Sequence, residues 1–549
     1  MNIKVQKIAK LTTEAVLARF DKHDGTLLSM LECRVRQMPE HSFIEHDGQT
    51  LTYSQFAKRV ASMAAMLWSY GVRANDRVAL VSHNHPSIPL TLFALANLGA
   101  VAVPVNPDFK HEEIHYVLKH ADVKGVICAP ERLELINAAC EGLSNISWKL
   151  LHSPSASVTI QDIETTMREC DGGYFENGSE QDRTCVFIYT SGTTGFPKAV
   201  MHSQRTFTLA GEGFVARMQL QPDDRLLCIM PMFHMNAIFY SLAGALATGA
   251  TLILLPRFAA STFWKDVSNL RATEVNTVAA ISNILMRRPR SEFVQNHGLR
   301  SIYGGPFSEE IYRVFKSEFG VHSLVEGYGM SEIPGVLSNP IDSPKIGSIG
   351  LPCQHPIDNT TFAKLRIVDD YGKDVPVDVP GNLLVKNLLV MQGYFRDPKL
   401  TAEAFSGDWF ITGDVVRRDA DGFYWFIARS KDIIRRRGEN ISGAEIDRIV
   451  NEHPDVLMSA AIAVPSPFGE DDILVALVVR VGQTLTPADI RNWCENRLAR
   501  IKVPRYIAIV PTLPHNQSFR VEKFKLKANS DTLISSAVDF DSNNSISCR

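Results

Sequence analysis

The segment YTSGTTGFPK, Tyr189–Lys198, is the most informative stretch of this chain. It completes a short apolar run, Val186–Tyr189, that predicts a strand, and the rest, Thr190–Lys198, predicts a loop dense in hydroxyl groups and glycine. Such a loop presents backbone N–H groups, hydroxyls and one lysine to a polyphosphate, and its glycines let the backbone approach closely. Gly192 and Gly195 are too close together for a Walker loop. The segment therefore predicts a polyphosphate site of a different kind, with a flexible surface turn as the alternative.

Length and composition describe an ordinary globular protein. The 549 residues are too many for one compact core and predict two or more domains. The net charge of −3 gives no overall attraction to nucleic acid, and we expect no nucleic-acid partner. The nine cysteines form no CxxC pair, which predicts reduced thiols in a cytoplasmic protein rather than a zinc or redox site.

The most apolar stretch, Ile88–Val103, is interrupted by Pro89, Asn97 and Gly99. We interpret it as a buried helix that ends at Gly99 and a strand over Ala100–Val103, not as a membrane span. The N-terminal residues lack a continuous apolar segment and do not resemble a signal peptide. The sequence therefore predicts neither secretion nor a membrane span.

Short apolar runs alternate with helical periods along most of the chain, as at Arg77–Ser82, Lys124–Cys128 and Thr251–Leu255. This alternation predicts an α/β fold, with a large N-terminal domain of mostly parallel sheets covered by helices over residues 1–429. A charged connector, Ser430–Gly438, begins a small α+β C-terminal domain over residues 430–527. Residues 528–549 are rich in Ser, Asn and Asp, which predicts a disordered tail.

A second motif, EGYGMSE at Glu326–Glu332, is interpreted as a glycine-punctuated turn that carries an aromatic ring, a hydroxyl and a carboxylate. We expect Tyr328 to stack on a base, Ser331 to donate to a phosphate and Glu332 to hold Mg²⁺, which prefers oxygen ligands. The segment SIYGGP, Ser301–Pro306, has two adjacent glycines that let a flat ligand approach closely. The alternatives are a solvated turn for the first segment and an ordinary Gly-Gly-Pro turn for the second.

These motifs, in this order, resemble the signatures of the adenylate-forming superfamily, which includes acyl-CoA synthetases, adenylation domains of peptide synthetases and firefly luciferase. Bacterial carnitine/crotonobetaine and medium- to long-chain acyl-CoA ligases are most similar, and the resemblance extends from about Leu51 to Lys527. It implies ATP-dependent activation of a small-molecule carboxylic acid to an acyl-adenylate with release of pyrophosphate. Transfer to the thiol of coenzyme A follows, with ATP and Mg²⁺ as cofactors and a mobile C-terminal domain.

The resemblance assigns the nucleotide and metal contacts to individual residues. Asp414 accepts hydrogen bonds from the ribose hydroxyls, since a carboxylate suits a vicinal diol, and Arg429 also reaches the ribose. Thr194 and Glu332 bind the metal ion. The complete set of expected ATP-binding residues is Thr190, Ser191, Gly192, Thr193, Thr194, Gly195, Lys198, Gly304, Gly305, Pro306, Glu326, Gly327, Tyr328, Gly329, Met330, Ser331, Asp414, Arg429 and Arg520.

Other residues are assigned to the acid, the hinge and the acceptor. The segment MFHMNA contributes an acid pocket formed by Phe233, His234 and Asn236. Peptide-synthetase domains usually carry an aspartate where His234 stands, which argues against an α-amino acid substrate. Lys431 is the hinge of the C-terminal domain, and the coenzyme A tunnel is lined by Gly438, Glu439 and Asn440.

One position departs from the superfamily pattern. A Gly-Lys pair is expected near the C-terminus, where its lysine bridges the substrate carboxylate and the adenylate, but this chain has Phe519-Arg520. Arg520 keeps the charge, although a guanidinium is planar and bulkier than an ammonium group. We expect it to act as a catalytic cation with Lys198, His234, Ser331 and Glu332. The nearby Lys523 is the alternative cation.

Two alternative functions stay open. In the first alternative, the activated acyl group goes to the phosphopantetheine of an acyl carrier protein or to an amine, because the same activation serves each acceptor. In the second alternative the protein is a catalytically impaired nucleotide-binding homologue, because Arg520 replaces the expected lysine.

Overall fold

The computed structural model describes residues 20, 22–154, 160–169, 177–190, 197–355, 363–429, 432–436, 439–466, 470–515 and 521–541. The chain forms two compact units. The first contains the chain as far as Lys364 together with Val385–Phe410, and the second contains Leu365–Leu384 together with the chain from Ile411 onward. The second unit therefore begins ahead of the predicted domain boundary between residues 429 and 430. That boundary stays a prediction.

Strands occur along the whole described chain. In chain order they are β1 (Ser42–His46), β2 (Gln49–Thr52), β3 (Arg77–Val81), β4 (Val101–Val105), β5 (Gly125–Cys128), β6 (Trp148–Leu151), β7 (Thr184–Thr190), β8 (Lys198–Ser203), β9 (Arg225–Cys228), β10 (Thr251–Leu254), β11 (Glu274–Asn276), β12 (Ser301–Gly304), β13 (Ser323–Met330), β14 (Ile333–Ser338), β15 (Leu351–Pro352), β16 (Ala363–Val368), β17 (Gly381–Asn387), β18 (Gly393–Tyr394), β19 (Phe405–Ser406), β20 (Trp409–Arg418), β21 (Tyr424–Arg429), β22 (Ile433–Arg436), β23 (Glu439–Ser442), β24 (Val456–Pro465), β25 (Asp471–Val479), β26 (Tyr506–Ile509) and β27 (Val538–Asp539).

Helices separate many of these strands. The described α-helices are α1 (Leu27–Gln37), α2 (Tyr53–Ser69), α3 (Ser87–Asn97), α4 (His111–Ala121), α5 (Leu133–Ala139), α6 (Ile163–Glu169), α7 (Gln204–Met218), α8 (Ala243–Thr248), α9 (Phe263–Asn269), α10 (Ala279–Arg287), α11 (Glu309–Ser317), α12 (Pro398–Glu403), α13 (Gly443–Asn451), α14 (Pro487–Glu495), α15 (Lys523–Ala528) and α16 (Ser530–Ser536).

Two large sheets organise the first unit. One has the strand order β15-β14-β13-β12-β11-β9-β10-β1-β2, and its strands from β13 to β1 pair in parallel. The other has the order β18-β8-β7-β4-β3-β5-β6, and its strands from β7 to β6 pair in parallel. Antiparallel strands extend both sheets at their ends. The prediction of an α/β fold with mostly parallel sheets is confirmed.

The apolar stretch near residue 90 forms an internal helix. Every residue of α3 is buried, and the helix is followed by Gly99, whose φ of +68° is the left-handed conformation that glycine favours. The described part of the chain contains no helix with the length and apolar character that a membrane span requires. Burial between neighbouring elements therefore explains the high hydropathy of this stretch.

Local capping fixes where other helices begin. At the start of α2, the Thr52 side chain accepts from the Gln55 amide while the Gln55 side chain accepts from the Thr52 amide. This reciprocal pattern satisfies two amide groups that no helical carbonyl reaches. Thr486 and Asp489 form the same arrangement before α14.

The second unit contains a sheet of order β24-β25-β26-β27 with α13 and α14 packed against one apolar face. Ile446 and Ile490 of the helices share a buried cluster with Val475 and Ile507 of the strands. The helices and mostly antiparallel strands agree with the α+β character predicted for the C-terminal region.

The prediction of a disordered tail from residue 528 is wrong as far as residue 541. The segment contains α16 and β27, and Val538 of β27 pairs with Ile507 of β26. Arg505 donates to both Asp539 oxygens at 2.9 Å, and Phe540 packs against the buried cluster of this unit. Composition predicted disorder because the partners of these residues lie about thirty residues upstream, where a local pattern does not reveal them.

Candidate functional site

The segment predicted to bind polyphosphate connects two paired strands. Thr190 ends β7, Lys198 begins β8, and the two residues face each other across an antiparallel hairpin. Both therefore belong to strands and not, as predicted, to the loop. The chain enters α7 only at Gln204, so no helix N-terminus follows the loop directly, unlike the arrangement in a Walker loop. The Thr190 hydroxyl is buried and makes no hydrogen bond with any described residue.

Five of the expected loop contacts lie outside the described residues. Their predicted roles in binding phosphate, and that of one of them as a metal ligand, stay predictions. These residues are Ser191, Gly192, Thr193, Thr194 and Gly195.

Lys198 lies in a cluster with a carboxylate and a phenol. Its Nζ is 3.0 Å from Glu332 Oε1 and donates to the Tyr394 hydroxyl at 2.6 Å. Tyr394 in turn donates to the same Glu332 oxygen at 2.7 Å. Burial raises the pKa of Glu332, but the Lys198 charge and the Tyr394 hydroxyl lower it by more, so that it lies below its usual value. Glu332 is consequently an ionised carboxylate in a largely enclosed position.

Two sheets of the first unit meet at this cluster. Tyr394 belongs to β18, which pairs with β8 through Val200, so Tyr394 lies beside the strand that begins at Lys198. Glu332 comes from the turn between β13 and β14 of the other sheet, and its carbonyl accepts from the Met391 amide at 2.8 Å. Tyr394 was missed in the sequence analysis because no local motif marks it.

The interpretation of the EGYGMSE motif as a glycine-punctuated turn is wrong for most of its length. Glu326–Met330 lie on β13, Met330 pairs with Ile333, and only Ser331 and Glu332 form the turn. The hairpin places a hydroxyl and a carboxylate side by side at a strand end, which the motif alone did not show.

Two glycines of the motif provide space for internal side chains. A Cβ atom at Gly327 would lie 2.1 Å from the Tyr303 hydroxyl, and one at Gly329 would lie 2.8 Å from the Gly335 amide nitrogen and 3.0 Å from the Tyr240 hydroxyl. Packing inside the protein thus accounts for both glycines, and their predicted contact with ATP stays a prediction. The same holds for Met330 and for the stacking role of Tyr328, which is buried beside Leu337 of β14.

His202 fixes the position of the Ser331–Glu332 turn. This fully buried residue of β8 donates from Nε2 to the Ser331 carbonyl at 2.6 Å. Burial lowers the pKa of His202 to about 4, so the ring is neutral and Nε2 carries its proton. His202 could not be identified from the sequence, since a single histidine in an apolar strand gives no functional signal.

The Gly-Gly-Pro segment is braced by a buried carboxyl group. Gly304 ends β12 opposite Glu326 of β13. Gly305 has a φ of +116°, and a Cβ atom added to it would lie only 2.7 Å from Glu326 Cγ. Glu326 Oε2 accepts from the Phe307 amide at 3.2 Å, and burial raises the pKa of Glu326 to about 8. The Glu326 side chain therefore supports this segment, and its contact with ATP, like that of Pro306, stays a prediction.

The expected acid-pocket residues lie together at the start of a π-helical turn. The rings of Phe233 and His234 are 4.6 Å apart, and Asn236 directly precedes the π-helix Ala237–Leu242. Such turns are frequent at functional sites. His234 Nε2 and Asn236 Oδ1 are buried and make no hydrogen bond with a described residue. Burial lowers the pKa of His234 to about 4, so two neutral polar groups here lack a protein partner.

Asn84 holds the backbone of this pocket. Its Oδ1 accepts from the Met232 amide at 2.8 Å, and its Nδ2 donates to the Met230 carbonyl at 3.0 Å. Asn84 is buried, and both ends of its amide are used. Asn84 could not be identified from the sequence, because it positions the segment without belonging to any motif.

The expected ribose contacts lie in the second unit. Asp414 and Arg429 face each other on β20 and β21, and Arg429 Nε is 2.6 Å from Asp414 Oδ1. The structure thus brings these two residues together, while their contact with ribose stays a prediction. Glu439 and Asn440 lie on β23, whereas Lys431, Gly438 and Arg520 lie outside the described residues.

The alternative cation, Lys523, is already paired in the second unit. Its Nζ contacts Asp447 Oδ2 at 2.5 Å, and only 14% of its side chain is exposed. Burial raises the pKa of Asp447, and Lys523 counteracts part of that rise. Lys523 would have to break this ion pair to act elsewhere, which favours Arg520 as the candidate catalytic cation.

A hydroxyl-rich segment between two paired strands, a lysine–carboxylate pair and an enclosed neutral histidine are groups suited to an enzyme that binds a nucleoside triphosphate and acts on a small molecule. Comparison with known proteins identifies the family. Residues 31–395 match the AMP-binding enzyme family, and residues 445–520 match the AMP-binding enzyme C-terminal domain. The chain belongs to the AMP-binding enzyme family.

Relatives of known activity match over nearly their whole length. A sulfoacetate–CoA ligase of Cupriavidus necator is 29% identical over 507 residues, which is 91% of this chain and 97% of the relative. A feruloyl-CoA synthase of an Amycolatopsis species is 31% identical and covers 90% and 97% of the two chains. A crotonobetaine/carnitine–CoA ligase of Salmonella agona is 28% identical and covers 87% and 93%.

Solved structures confirm the fold. The crystal structure of an anthranilate CoA ligase in complex with anthranoyl-AMP superposes with a TM-score of 0.83 at 24% identity and covers 92% of this chain and 97% of that one. The predicted superfamily and the resemblance to carnitine/crotonobetaine ligases are confirmed. The enzyme class is an AMP-forming acid–thiol ligase that uses ATP, Mg²⁺ and coenzyme A.

Proposed function

We propose that Lys198, Glu332 and Ser331 form the centre at which this protein joins a small-molecule carboxylic acid to AMP, and that coenzyme A then accepts the acyl group. The observation that carries this proposal is the Lys198–Glu332–Tyr394 cluster, which joins the polyphosphate hairpin to the turn of the second motif. The His234–Asn236 segment belongs to the same unit and offers neutral polar groups to the acid.

The residues present fit a magnesium nucleotide. Glu332 is ionised and largely enclosed, which is the state of a carboxylate that binds a hard cation. Lys198 carries a charge beside it, and the buried Thr190 hydroxyl has no described protein partner. When bound, Mg²⁺ neutralises charge on phosphate oxygens. We propose Thr194 as a further metal ligand.

In the proposed first step, an oxygen of the acid forms a bond to the α-phosphorus of ATP, and the bond to the departing pyrophosphate breaks. Lys198 and the Ser331 hydroxyl stabilise the negative charge on the phosphate oxygens, and His202 holds Ser331 in place. His234 remains neutral at pH 7, so it does not weaken the attacking carboxylate as a permanent cation would. Arg520 adds positive charge during this step.

In the proposed second step, the coenzyme A sulfur forms a bond to the acyl carbon, and AMP leaves with the electron pair of the broken C–O bond. Asp414 and Arg429 hold the ribose through their paired side chains. Lys431 acts as the hinge, and Gly438, Glu439 and Asn440 line the path of the pantetheine arm. The ribose contacts, the hinge, the lining of the pantetheine path and the domain boundary at residue 430 all belong to the proposal.

The first test is ATP–pyrophosphate exchange with a panel of carboxylic acids and radiolabelled pyrophosphate. Exchange that depends on one acid and on Mg²⁺ supports adenylate formation. Loss of that exchange in Glu332→Gln, with folding unchanged, supports the assigned centre. Absence of exchange with every acid would favour the impaired nucleotide-binding homologue instead.

The acceptor needs a separate test. The enzyme is incubated with ATP, the active acid and either coenzyme A or a phosphopantetheinylated acyl carrier protein, and the thioester is detected by mass. We expect the coenzyme A thioester, because the relatives from Cupriavidus, Amycolatopsis and Salmonella are named as CoA ligases or synthases. A thioester on the carrier protein alone would reassign the acceptor.

The described cysteines are free thiols, which supports the proposed cytoplasmic location.

A further inference from the structure

Arg217, in the last turn of α7, carries a buried charge that has no acidic partner among the described residues. Its three guanidinium nitrogens are shielded from solvent, and none makes a hydrogen bond of normal geometry with a described residue. The polar groups that act on its charge are the Cys353 thiol and the hydroxyls of Tyr240 and Tyr303. A buried charge normally has a partner of opposite charge, because the loss of hydration is otherwise uncompensated.

Aromatic rings surround the guanidinium but do not neutralise it. Arg217 Cζ lies 5.6 Å from the ring centre of Phe214, 5.5 Å from that of Tyr240 and 6.0 Å from that of Tyr303. Burial raises the pKa of both tyrosines and of Cys353, so all three stay protonated at pH 7. The site therefore supplies one fixed positive charge in an enclosed aromatic setting.

The position of Arg217 connects it with the acid site. Tyr240 lies in the π-helix, one turn beyond the acid-pocket segment. Tyr303 directly precedes the Gly-Gly-Pro segment. Gly335 lies three residues beyond Glu332, and a Cβ atom added to Gly335 would be 3.1 Å from Arg217 Nη1. Three elements that carry the proposed site thus meet at one guanidinium in the first unit.

We propose that Arg217 binds an oxyanion at the far end of the acid substrate, so that the preferred substrate carries a second anionic group in addition to the activated carboxylate. This inference rests on the proposed function, whose acid site it extends. A guanidinium presents a planar fork that donates two parallel hydrogen bonds to a carboxylate or a sulfonate. A monoacid of equal length leaves the buried cation unpaired, so the site discriminates against it.

The first experiment uses the wild-type enzyme and pairs of acids of matched length. Pyrophosphate release is measured with succinate against butanoate, glutarate against pentanoate, and 3-sulfopropanoate against butanoate. We expect kcat/KM to favour the dianionic member by about 10- to 100-fold, as for hydrogen bonds to a charged group. Comparison of kcat/KM between the dicarboxylates and the sulfo acid then identifies whether a carboxylate or a sulfonate is bound better.

The outcomes separate the two proposals. Equal or greater activity with the monoacids overturns the Arg217 inference and leaves the proposed function intact. No pyrophosphate release with any acid, in this panel or a wider one, overturns the proposed function and the inference with it.

The second experiment uses variants of Arg217. Arg217→Met keeps much of the side-chain volume and is expected to abolish the preference for the dianionic acid, mainly through a higher KM for that acid. Arg217→Lys is expected to retain part of the preference, and it replaces the Met variant if that protein does not fold. The matched control is Arg205→Met on the same helix, since Arg205 is partly exposed and pairs with Asp182.

A purely structural role for Arg217 predicts a different result. Loss of packing would lower the melting temperature and reduce kcat/KM for both members of each acid pair by the same factor. An unchanged ratio between dianionic and monoanionic acids in Arg217→Met, or in Arg217→Lys where that variant stands in, overturns the inference.

Discussion

Replacing Tyr394 by phenylalanine tests the centre of the proposed site. The change removes one oxygen, which accepts from Lys198 Nζ at 2.6 Å and donates to Glu332 Oε1 at 2.7 Å. The phenyl ring remains, so the contact of Lys198 with the ring at 3.9 Å from its centre is kept. The direct Lys198–Glu332 contact of 3.0 Å also remains. The variant therefore isolates the contribution of the hydroxyl group.

The magnitude follows from these contacts. A hydrogen bond to a charged group contributes about 1.5–3 kcal/mol, and Tyr394 makes two such bonds. The surviving ion pair and water entering beside Lys198, which is 29% exposed, replace part of this contribution. We therefore expect a net loss of about 1.5–2.5 kcal/mol, or roughly 10- to 70-fold in rate.

The assay is ATP–pyrophosphate exchange with the acid that the panel identifies, measured over a range of Mg²⁺ concentrations. The exchange rate should fall and more Mg²⁺ should be required, because Glu332 loses a group that orients it. Tyr371→Phe is the matched control, since Tyr371 is 96% exposed. A loss of less than about threefold, with the Mg²⁺ dependence unchanged, would refute the reasoning.

Three further predictions concern stability and catalysis. Burial lowers the pKa of His152 to about 4, against about 6.5 in an unfolded chain, so the unfolded state takes up the proton first as pH falls. Through His152, the free energy of unfolding should decrease by about 2 kcal/mol between pH 7 and pH 5. Urea titrations of His152→Phe should show a smaller decrease than the wild type, and an equal decrease would contradict this prediction. Gly305→Ala should destabilise by about 1–3 kcal/mol more than Gly372→Ala in the same titration, because both have positive φ but only Gly305 has Glu326 Cγ within 2.7 Å of the added Cβ atom. Arg520→Ala should reduce pyrophosphate exchange by about 100- to 1000-fold while Arg520→Lys retains it, and unchanged exchange in the alanine variant would remove Arg520 from the catalytic set.

Much of the fold and the class of enzyme could be predicted because their signals are local. The apolar run of α3 and its end near Gly99 follow from periodicity and from the conformational freedom of glycine. The hydroxyl-rich segment after β7 and the carboxylate at Glu332 indicate phosphate and metal chemistry within ten residues each. These predictions needed no knowledge of which strands are neighbours.

The strand register changed several local interpretations. The EGYGMSE motif looked like a turn because glycine is common in turns, but sheet pairing of β13 with β12 and β14 outweighs that preference. The tail after residue 528 looked disordered because it is polar, but Val538 and Asp539 have partners on β26 and at Arg505. In both cases distant pairing overrides composition.

The chemical groups of the site could be read from short motifs, since the chemistry of hydroxyls, a lysine and carboxylates does not depend on the rest of the chain. Which of these groups lie together could not be read from the motifs and follows from packing. Tyr394 meets Glu332 across 62 positions, and His202 reaches Ser331 across 129. Arg217 likewise meets Tyr240 and Tyr303 only because a helix, a π-helical turn and a strand end pack together. The physical reason is that sheet order and packing, not sequence spacing, fix these distances.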